Sequence, residues 1–261
     1  MTQKRVALVT GASSGIGWDL VQTLSREHYD VFISARSISK LEELKSLCEA
    51  TYKNKITIIS ADLSKATGAK ELCDQFLASE SPLDLLVNNA GFGDFGLFHE
   101  RPLAKSMEMI EVNVSSLTYL THRLLASIIK NRGCVMNIAS TAAFQPGPLM
   151  SVYFATKAYV LSFTEGISEE LKPFGAKAIA ICPGPTYTGF FKTAELGESK
   201  LFENIMKVAT SKELAEFCLK SLESSNPVAV HGLGNKIGSI LPRLVPRSAV
   251  RKVVMKMQGK K

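Results

Sequence analysis

No apolar run in this 261-residue sequence reaches the roughly 18 residues that a membrane-crossing helix needs, so a spanning segment is not expected. Five cysteines, Cys48, Cys73, Cys134, Cys182 and Cys218, are odd in number and show neither CxxC nor metal-ligand spacing. That pattern excludes a disulfide framework and a thiolate metal site, and it points to reduced thiols in a cytoplasmic compartment. His28, His99, His122 and His231 also lack metal spacing, so no metal is expected. Lys4 and Arg5 lead straight into a strand-like run, which is not how a secretory leader begins. Internal repeats, low-complexity tracts and linkers are missing, and residues 1–261 read as one domain. Nucleic-acid-binding motifs are missing too. Acidic residues are absent from Asn226 to Lys261, where eight of the 31 basic residues fall; the rest of the chain holds 23 basic against 24 acidic. The body is close to neutral and residues 236–261 form a basic C-terminal extension.

What the sequence has is alternation. Short β-branched runs at 5–10, 31–35, 56–60, 83–88, 134–139, 176–181 and 228–230 are separated by longer helical stretches. The order predicts an α/β Rossmann fold: a doubly wound parallel sheet of about seven strands with helices on both faces. Helices are expected over 17–28, 38–51, 65–79, 104–131, 151–172 and 211–224. The Gly- and Phe-rich stretch 91–96 reads as a mobile loop, and 190–210 as amphipathic helix over a pocket, a substrate lid.

Four stretches carry chemistry. Tyr153 and Lys157 are four apart at the start of a helix, which places a phenol and an ammonium on one face. A free tyrosine titrates near about 10, and a neighbouring cation lowers that value. Lys157 would therefore bring Tyr153 towards general acid/base duty. Two solvated side chains on a helix surface would show the same spacing. The strand at 5–10 runs into Gly11, Gly15 and Gly17 and then a helix. Such a turn lets phosphate approach the backbone and offers it N–H groups and a positive dipole. At the end of the second strand stand Ala35 and Arg36, where NAD binders carry an acid on the ribose 2′-hydroxyl; an arginine suits a 2′-phosphate instead. Ser140 ends the 134–139 strand, at the sheet edge where such folds bind ligands.

Taken together, Thr10-Gly-Ala-Ser-Ser-Gly-Ile-Gly17, Asn88-Asn-Ala-Gly91, Asn113, Ser140, Tyr153-x-x-x-Lys157 and Pro183-Gly184…Thr188 resemble the short-chain dehydrogenase/reductase family in order and spacing, over roughly residues 4–230. The resemblance implies a catalytic set of Asn113, Ser140, Tyr153 and Lys157. Tyr153 would exchange the proton and Ser140 would hold the substrate oxygen. Lys157 would bind the nicotinamide ribose, and Asn113 would anchor a relay water. It further implies cofactor contacts from Gly11, Ser13, Ser14, Gly15, Ile16 and Gly17 to the pyrophosphate and adenosine end. Arg36 and Ser37 would meet the 2′-phosphate, and Asp62 and Leu63 the adenine. Asn89, Ala90 and Gly91 would lie along the riboses, with Pro183, Gly184, Thr186 and Thr188 around the nicotinamide. Two departures stand out. Ser14 occupies a position that is basic in many NADP-dependent members, and Thr186 one that is often Val or Ile. NADP(H) is thus the expected cofactor, with NAD(H) also accommodated.

The expected activity is interconversion of a carbonyl and a secondary alcohol, on a small and moderately hydrophobic substrate, by a homodimer or homotetramer. Oxidation of a 3-hydroxy acid or hydroxyacyl compound is the alternative within the family; a non-catalytic NADP(H)-binding regulator is the alternative outside it. The C-terminal segment resembles that of a broad bacterial subgroup of undefined substrate. After Pro246, Val250, Val253, Val254 and Met257 share a helix with Arg251, Lys252 and Lys256. Packing on the domain or on a partner subunit is the favoured reading of that helix, and contact with an anionic membrane surface is the other.

Overall fold

Strand residues buried on both sides dominate the centre of the molecule. In the computed structural model, which describes residues 4–187 and 208–259, seven parallel strands form one sheet in the order β3-β2-β1-β4-β5-β6-β9. They are β1 (Val6–Thr10), β2 (Asp30–Ala35), β3 (Ile56–Ser60), β4 (Leu85–Asn88), β5 (Cys134–Ile138), β6 (Lys177–Cys182) and β9 (Val228–Val230). A separate short pair joins β7 (Thr186–Tyr187) to β8 (Ala209–Thr210). Alternation along each strand divides the core. Ala7, Val9, Val31, Ile33, Met136 and Ile179 pack under α1 (Gly15–Arg26), α2 (Ile38–Tyr52) and α7 (Ser211–Ser221). Val6, Leu8, Phe32, Leu86, Val135 and Ala178 meet α3 (Gly68–Ala78), α5 (Leu117–Lys130) and α6 (Ser151–Leu171) on the other face. Helices on both faces explain why these strands read as near-continuous apolar runs.

Strand order turns between β1 and β4, and a crevice opens there at the carboxyl edge. Asn88 and Asn89 join the two strand ends. Asn89 Nδ2 donates to the carbonyls of Thr10 at 2.9 Å and Gly11 at 3.1 Å. Asn88 Nδ2 donates to Thr121 Oγ1 at 3.0 Å and to Asn137 Oδ1 at 2.9 Å, and Asn137 passes the chain to Thr164 at 2.9 Å. This buried polar ladder ties β4, β5, α5 and α6 in register.

One expectation is corrected, that of a loose 91–96 stretch, and two features are added. The 104–131 helix is not uniform: α4 (Leu103–Ile110) and α5 are joined by a π-helical segment, Glu111–Ser116, centred on Asn113. The 91–96 stretch is fastened rather than loose. Asp94 is buried and accepts from Arg101 at 2.6 Å and 2.8 Å and from Lys105 at 2.8 Å, while Phe95 packs with Leu149, Met150 and Phe154. A helix not anticipated from the sequence, α8 (Leu233–Leu244), precedes the basic helix, α9 (Arg247–Gln258). The expected lid over 190–210 lies almost wholly outside the described residues. Among the described residues, no helix is long and apolar enough to cross a membrane and no His/Cys/Asp/Glu group has metal-site form.

Candidate active site

A cavity of about 1500 Å³ follows the carboxyl edge of the sheet from Arg36 to the C-terminal helices. Gly11, Ser13, Ser14, Gly15, Ile16, Arg36, Ser37, Asp62, Leu63, Asn89, Ala90, Gly91, Ser140, Tyr153, Lys157, Pro183, Gly184 and Thr186 all line it. Gly17 and Asn113 stand behind the wall, and Thr188 lies outside the described residues.

At one end is the glycine turn. Gly11 has φ +66, and a β-carbon there would sit 2.8 Å from Ala90 Cα; at Gly17 it would sit 2.4 Å from the Gly11 carbonyl oxygen. Gly17 therefore serves the close packing of α1 against the turn. Ser14 caps α1 without a side-chain hydrogen bond, and the first turn of α1 carries no acid. The first backbone N–H groups of the helix face the cavity with their dipole uncompensated, the donor set that a pyrophosphate requires. Arg36 Nη1 reaches Glu108 Oε1 at 3.7 Å across the mouth. Asp62 Oδ1 is held by Ser64, whose hydroxyl donates at 2.7 Å and whose backbone N–H donates at 3.2 Å. These bonds place its carboxyl below the usual range although burial acts the other way.

At the other end is the proton-handling group. Ser140 caps a short 3₁₀ turn, Thr141–Phe144, accepting from the Ala142 N–H at 3.1 Å, and its side chain is hydrogen-bonded to Tyr153. Tyr153 stands in the first turn of α6, and Lys157 one turn on sends Nζ to the Ile138 carbonyl at 2.7 Å. Its ammonium lies 5.9 Å from the centre of the Tyr153 ring. The expected lowering of the Tyr153 pKa is not seen: burial pushes the phenol up to about 12, against the Ser140 hydrogen bond. Burial likewise brings Lys157 down to about 8, opposed by nearby Cys182. Desolvation disfavours both charged forms and sets the direction of both shifts.

Asn113 is buried and its side chain makes three hydrogen bonds. Nδ2 donates to the Phe92 carbonyl and Thr156 Oγ1, both at 3.0 Å, and Oδ1 accepts from the Phe92 N–H at 3.2 Å. Gly91 fits between it and the lysine: a β-carbon there would lie 3.0 Å from Asn113 Oδ1 and 3.4 Å from Lys157 Nζ. Gly184 has a neighbour that the sequence did not reveal. A β-carbon would meet Asn235 Nδ2 at 2.4 Å, because α8 presses its small face on the Pro183–Gly184 turn. Leu241, Pro242, Val245, Val250, Val253 and Met257 complete an apolar wall from α8 and α9. The four apolar residues of α9 were visible as one face in the sequence; the contribution of α8 was not.

A dinucleotide-shaped crevice with a Ser–Tyr–Lys cluster at its far end agrees with the wider comparison. The family model for short chain dehydrogenases matches residues 5–199. The chain belongs to this family. It is an NAD(P)-dependent short-chain dehydrogenase/reductase acting on CH–OH groups. An uncharacterised oxidoreductase of Staphylococcus saprophyticus is 28% identical over 230 residues, 88% of this chain and 95% of the relative. A Danio rerio protein called very-long-chain 3-oxoacyl-CoA reductase-B is 28% identical over 96% of this chain and 79% of its own length. Among solved structures, a Sphingobium yanoikuyae short-chain dehydrogenase in complex with NADPH is 26% identical, with a TM-score of 0.81 and coverage of 97% and 95% of the two chains. A bulky-bulky ketone specific alcohol dehydrogenase from Comamonas testosteroni is 26% identical, with a TM-score of 0.78 and 96% coverage of each chain. A 3-ketoacyl-(acyl-carrier-protein) reductase from Brucella melitensis, complexed with NADH, is 25% identical, with a TM-score of 0.75 and coverage of 87% and 95%.

Proposed function

We propose that this short-chain dehydrogenase/reductase is an NADP(H)-dependent reductase of bulky, largely apolar ketones. The observation that carries the reading is one continuous cavity with Arg36 at one end and Ser140, Tyr153 and Lys157 under an apolar wall at the other. The turn at Gly11–Gly15 and the N-terminus of α1 hold the pyrophosphate, and Arg36 with Ser37 holds the 2′-phosphate. Asp62 and Leu63 flank the adenine. Asn89, Ala90 and Gly91 border the riboses. Pro183, Gly184 and Thr186 bound the nicotinamide, and Thr188 follows in sequence. When bound, the nicotinamide supplies or accepts the hydride.

The chain's own residues manage position and protons. Ser140 donates to the substrate oxygen, and Tyr153 delivers the proton to that oxygen as it becomes an alkoxide. A phenol raised to about 12 keeps its proton throughout the physiological range, which suits the reductive direction. Lys157 would hold the nicotinamide ribose hydroxyls. Asn113, within the π-helical segment, would anchor the relay water. The Danio rerio relative's name favours one second reading, reduction of a 3-oxoacyl compound whose chain lies along the same wall. A shallow groove of Ile110, Val114, Val152 and Ala155 is the face for a second copy in a homodimer or homotetramer.

The reading is tested by NADPH consumption with graded aryl and alkyl ketones. Activity that rises with apolar bulk supports it; activity confined to small polar hydroxy acids overturns it. A pH test addresses Lys157. Its free-enzyme value lies near 8, and an anionic dinucleotide raises it, so the complex binds more protons than the free protein. Affinity for NADPH then falls as pH rises through that value, by at most about tenfold per unit for one proton. Fluorescence titrations between neutral and alkaline pH should show this slope in the wild type and lose it in Lys157→Met.

A further inference from the structure

Helix α8 is built the wrong way round for a soluble surface. At 3.6 residues per turn, Leu233, Ile237, Ile240, Leu241 and Leu244 fall within an arc of about 100°. Asn235, Ser239 and Pro242 occupy the opposite side. The small side faces the protein: Ser239 is buried, donating to the Lys236 carbonyl at 2.7 Å, and Asn235 donates to the His231 carbonyl at 2.8 Å against Gly184. The five large apolar side chains are between 53% and 76% exposed. A surface helix ordinarily buries that stripe.

The surroundings of the stripe say what covers it. Lys236 and Arg243 border it on α8, and Arg247, Arg251, Lys252 and Lys256 are exposed on α9. The whole segment from Asn226 onward has no acidic residue. A second copy of this face across a twofold axis would set the same cations against one another. A nucleic acid would match the charge but leave the apolar row in water. Apolar side chains with a cationic border and no acid match the interface of an anionic bilayer, where the row enters the acyl boundary and the cations meet phosphate. The stripe is also continuous with the cavity. Leu241 belongs to both, and Val245, Val253 and Met257 line the cavity while remaining about half exposed.

We infer that the outer face of α8, with the cations of α9, docks this protein on an anionic membrane surface with the substrate end of the cavity opening beside the lipid. The substrate is then a lipid-soluble ketone drawn from the bilayer, a consequence that rests on the function proposed above; the docking itself does not.

The test is co-sedimentation of the full chain with vesicles of phosphatidylglycerol and phosphatidylcholine, against vesicles of phosphatidylcholine alone. Wild type should partition onto the anionic vesicles at least tenfold better, and added salt should weaken the binding. Ile240→Asp combined with Leu244→Asp should reduce it by a further factor of at least ten. Both residues are exposed and outside the cavity lining, so the variant should keep NADPH binding as a check on folding. A second variant, Lys236→Gln with Arg243→Gln, should weaken the preference for anionic over neutral vesicles several-fold, the remainder being carried by Arg247, Arg251, Lys252 and Lys256 of α9. Failure of wild type to sediment with anionic vesicles, or equal sedimentation of the Asp variant, overturns the inference. So does a wild-type dimer that the Asp variant converts to monomer without any vesicle binding, since the face would then belong to a second copy. Because the readout needs no turnover, a negative vesicle result with normal ketone reduction removes the docking alone. Vesicle binding without ketone reduction removes the function alone.

Discussion

Replacing Tyr153 by Phe should lower ketone turnover by about 10²- to 10⁴-fold, the usual worth of general acid–base catalysis, with NADPH affinity unchanged. The substitution removes one hydroxyl and leaves the ring. That ring packs beside Phe95, Ala142, Leu149, Met150 and Phe154, so the fold has no reason to move. What is lost is the proton donor and the hydrogen bond with Ser140. Ser140 keeps its contact with the Ala142 N–H and would still polarise the substrate oxygen. Steady-state kcat with one good ketone and a parallel NADPH titration separate the two quantities. A variant that retains more than a tenth of the wild-type rate would assign the proton to another group. Loss of NADPH binding would mean that Tyr153 is a cofactor ligand first.

Arg36→Leu should weaken NADPH by roughly 10- to 150-fold and leave NADH almost unaffected. A hydrogen bond to a charged group contributes about 1.5–3 kcal/mol, and each 1.4 kcal/mol is about tenfold in affinity. Arg36 begins the competition lightly held. Its contact with Glu108 is 3.7 Å long between exposed side chains, a geometry in which ion pairs contribute little. A 2′-phosphate can displace it, yet the carboxylate of Glu108 remains nearby and repels that phosphate. Glu108→Gln should therefore shift affinity the opposite way, tightening NADPH a few-fold without changing NADH. Both effects are read as ratios of dissociation constants from nicotinamide fluorescence. Parallel losses of NADPH and NADH in Arg36→Leu would place the guanidinium elsewhere and leave cofactor choice to the backbone.

Local signals made much of this legible in advance. The glycine turn, the Asn88–Gly91 strand end, Ser140 and the Tyr153–Lys157 pair each depend on backbone geometry within a few residues, and geometry of that range is written in spacing. The seven strands were legible because double-sided burial demands unbroken apolar runs, with end points differing by one or two residues at β4 and β6. What escaped depends on distant partners. Nothing near Asn113 marks a π-helical segment; there Asn113 holds Phe92 and Thr156, both distant in sequence. The 91–96 loop looked loose because Gly and Phe dominate it, whereas its fastening to Arg101 and Lys105 depends on how α4 enters. Helix α8 was hidden by Gly234, Gly238 and Pro242, residues of poor helix propensity. Tertiary docking of its small side on the Pro183–Gly184 turn overrides that preference. The Tyr153–Lys157 spacing was read correctly as one face, but the sign of the tyrosine shift was not. Spacing reports proximity; it does not report that both groups are dehydrated.

On the function proposed above, the cavity joins an NADPH to an apolar ketone at Tyr153. The most direct measurement is a single turnover with NADPH deuterated on the transferable face of nicotinamide C4 and a bulky aryl ketone, followed by mass analysis of the alcohol. Wild type should place one deuterium on the carbinol carbon, and Tyr153→Phe almost none in the same time. Tight NADPH binding with no deuterium in any alcohol across the ketone series, or equal label from both proteins, would contradict it.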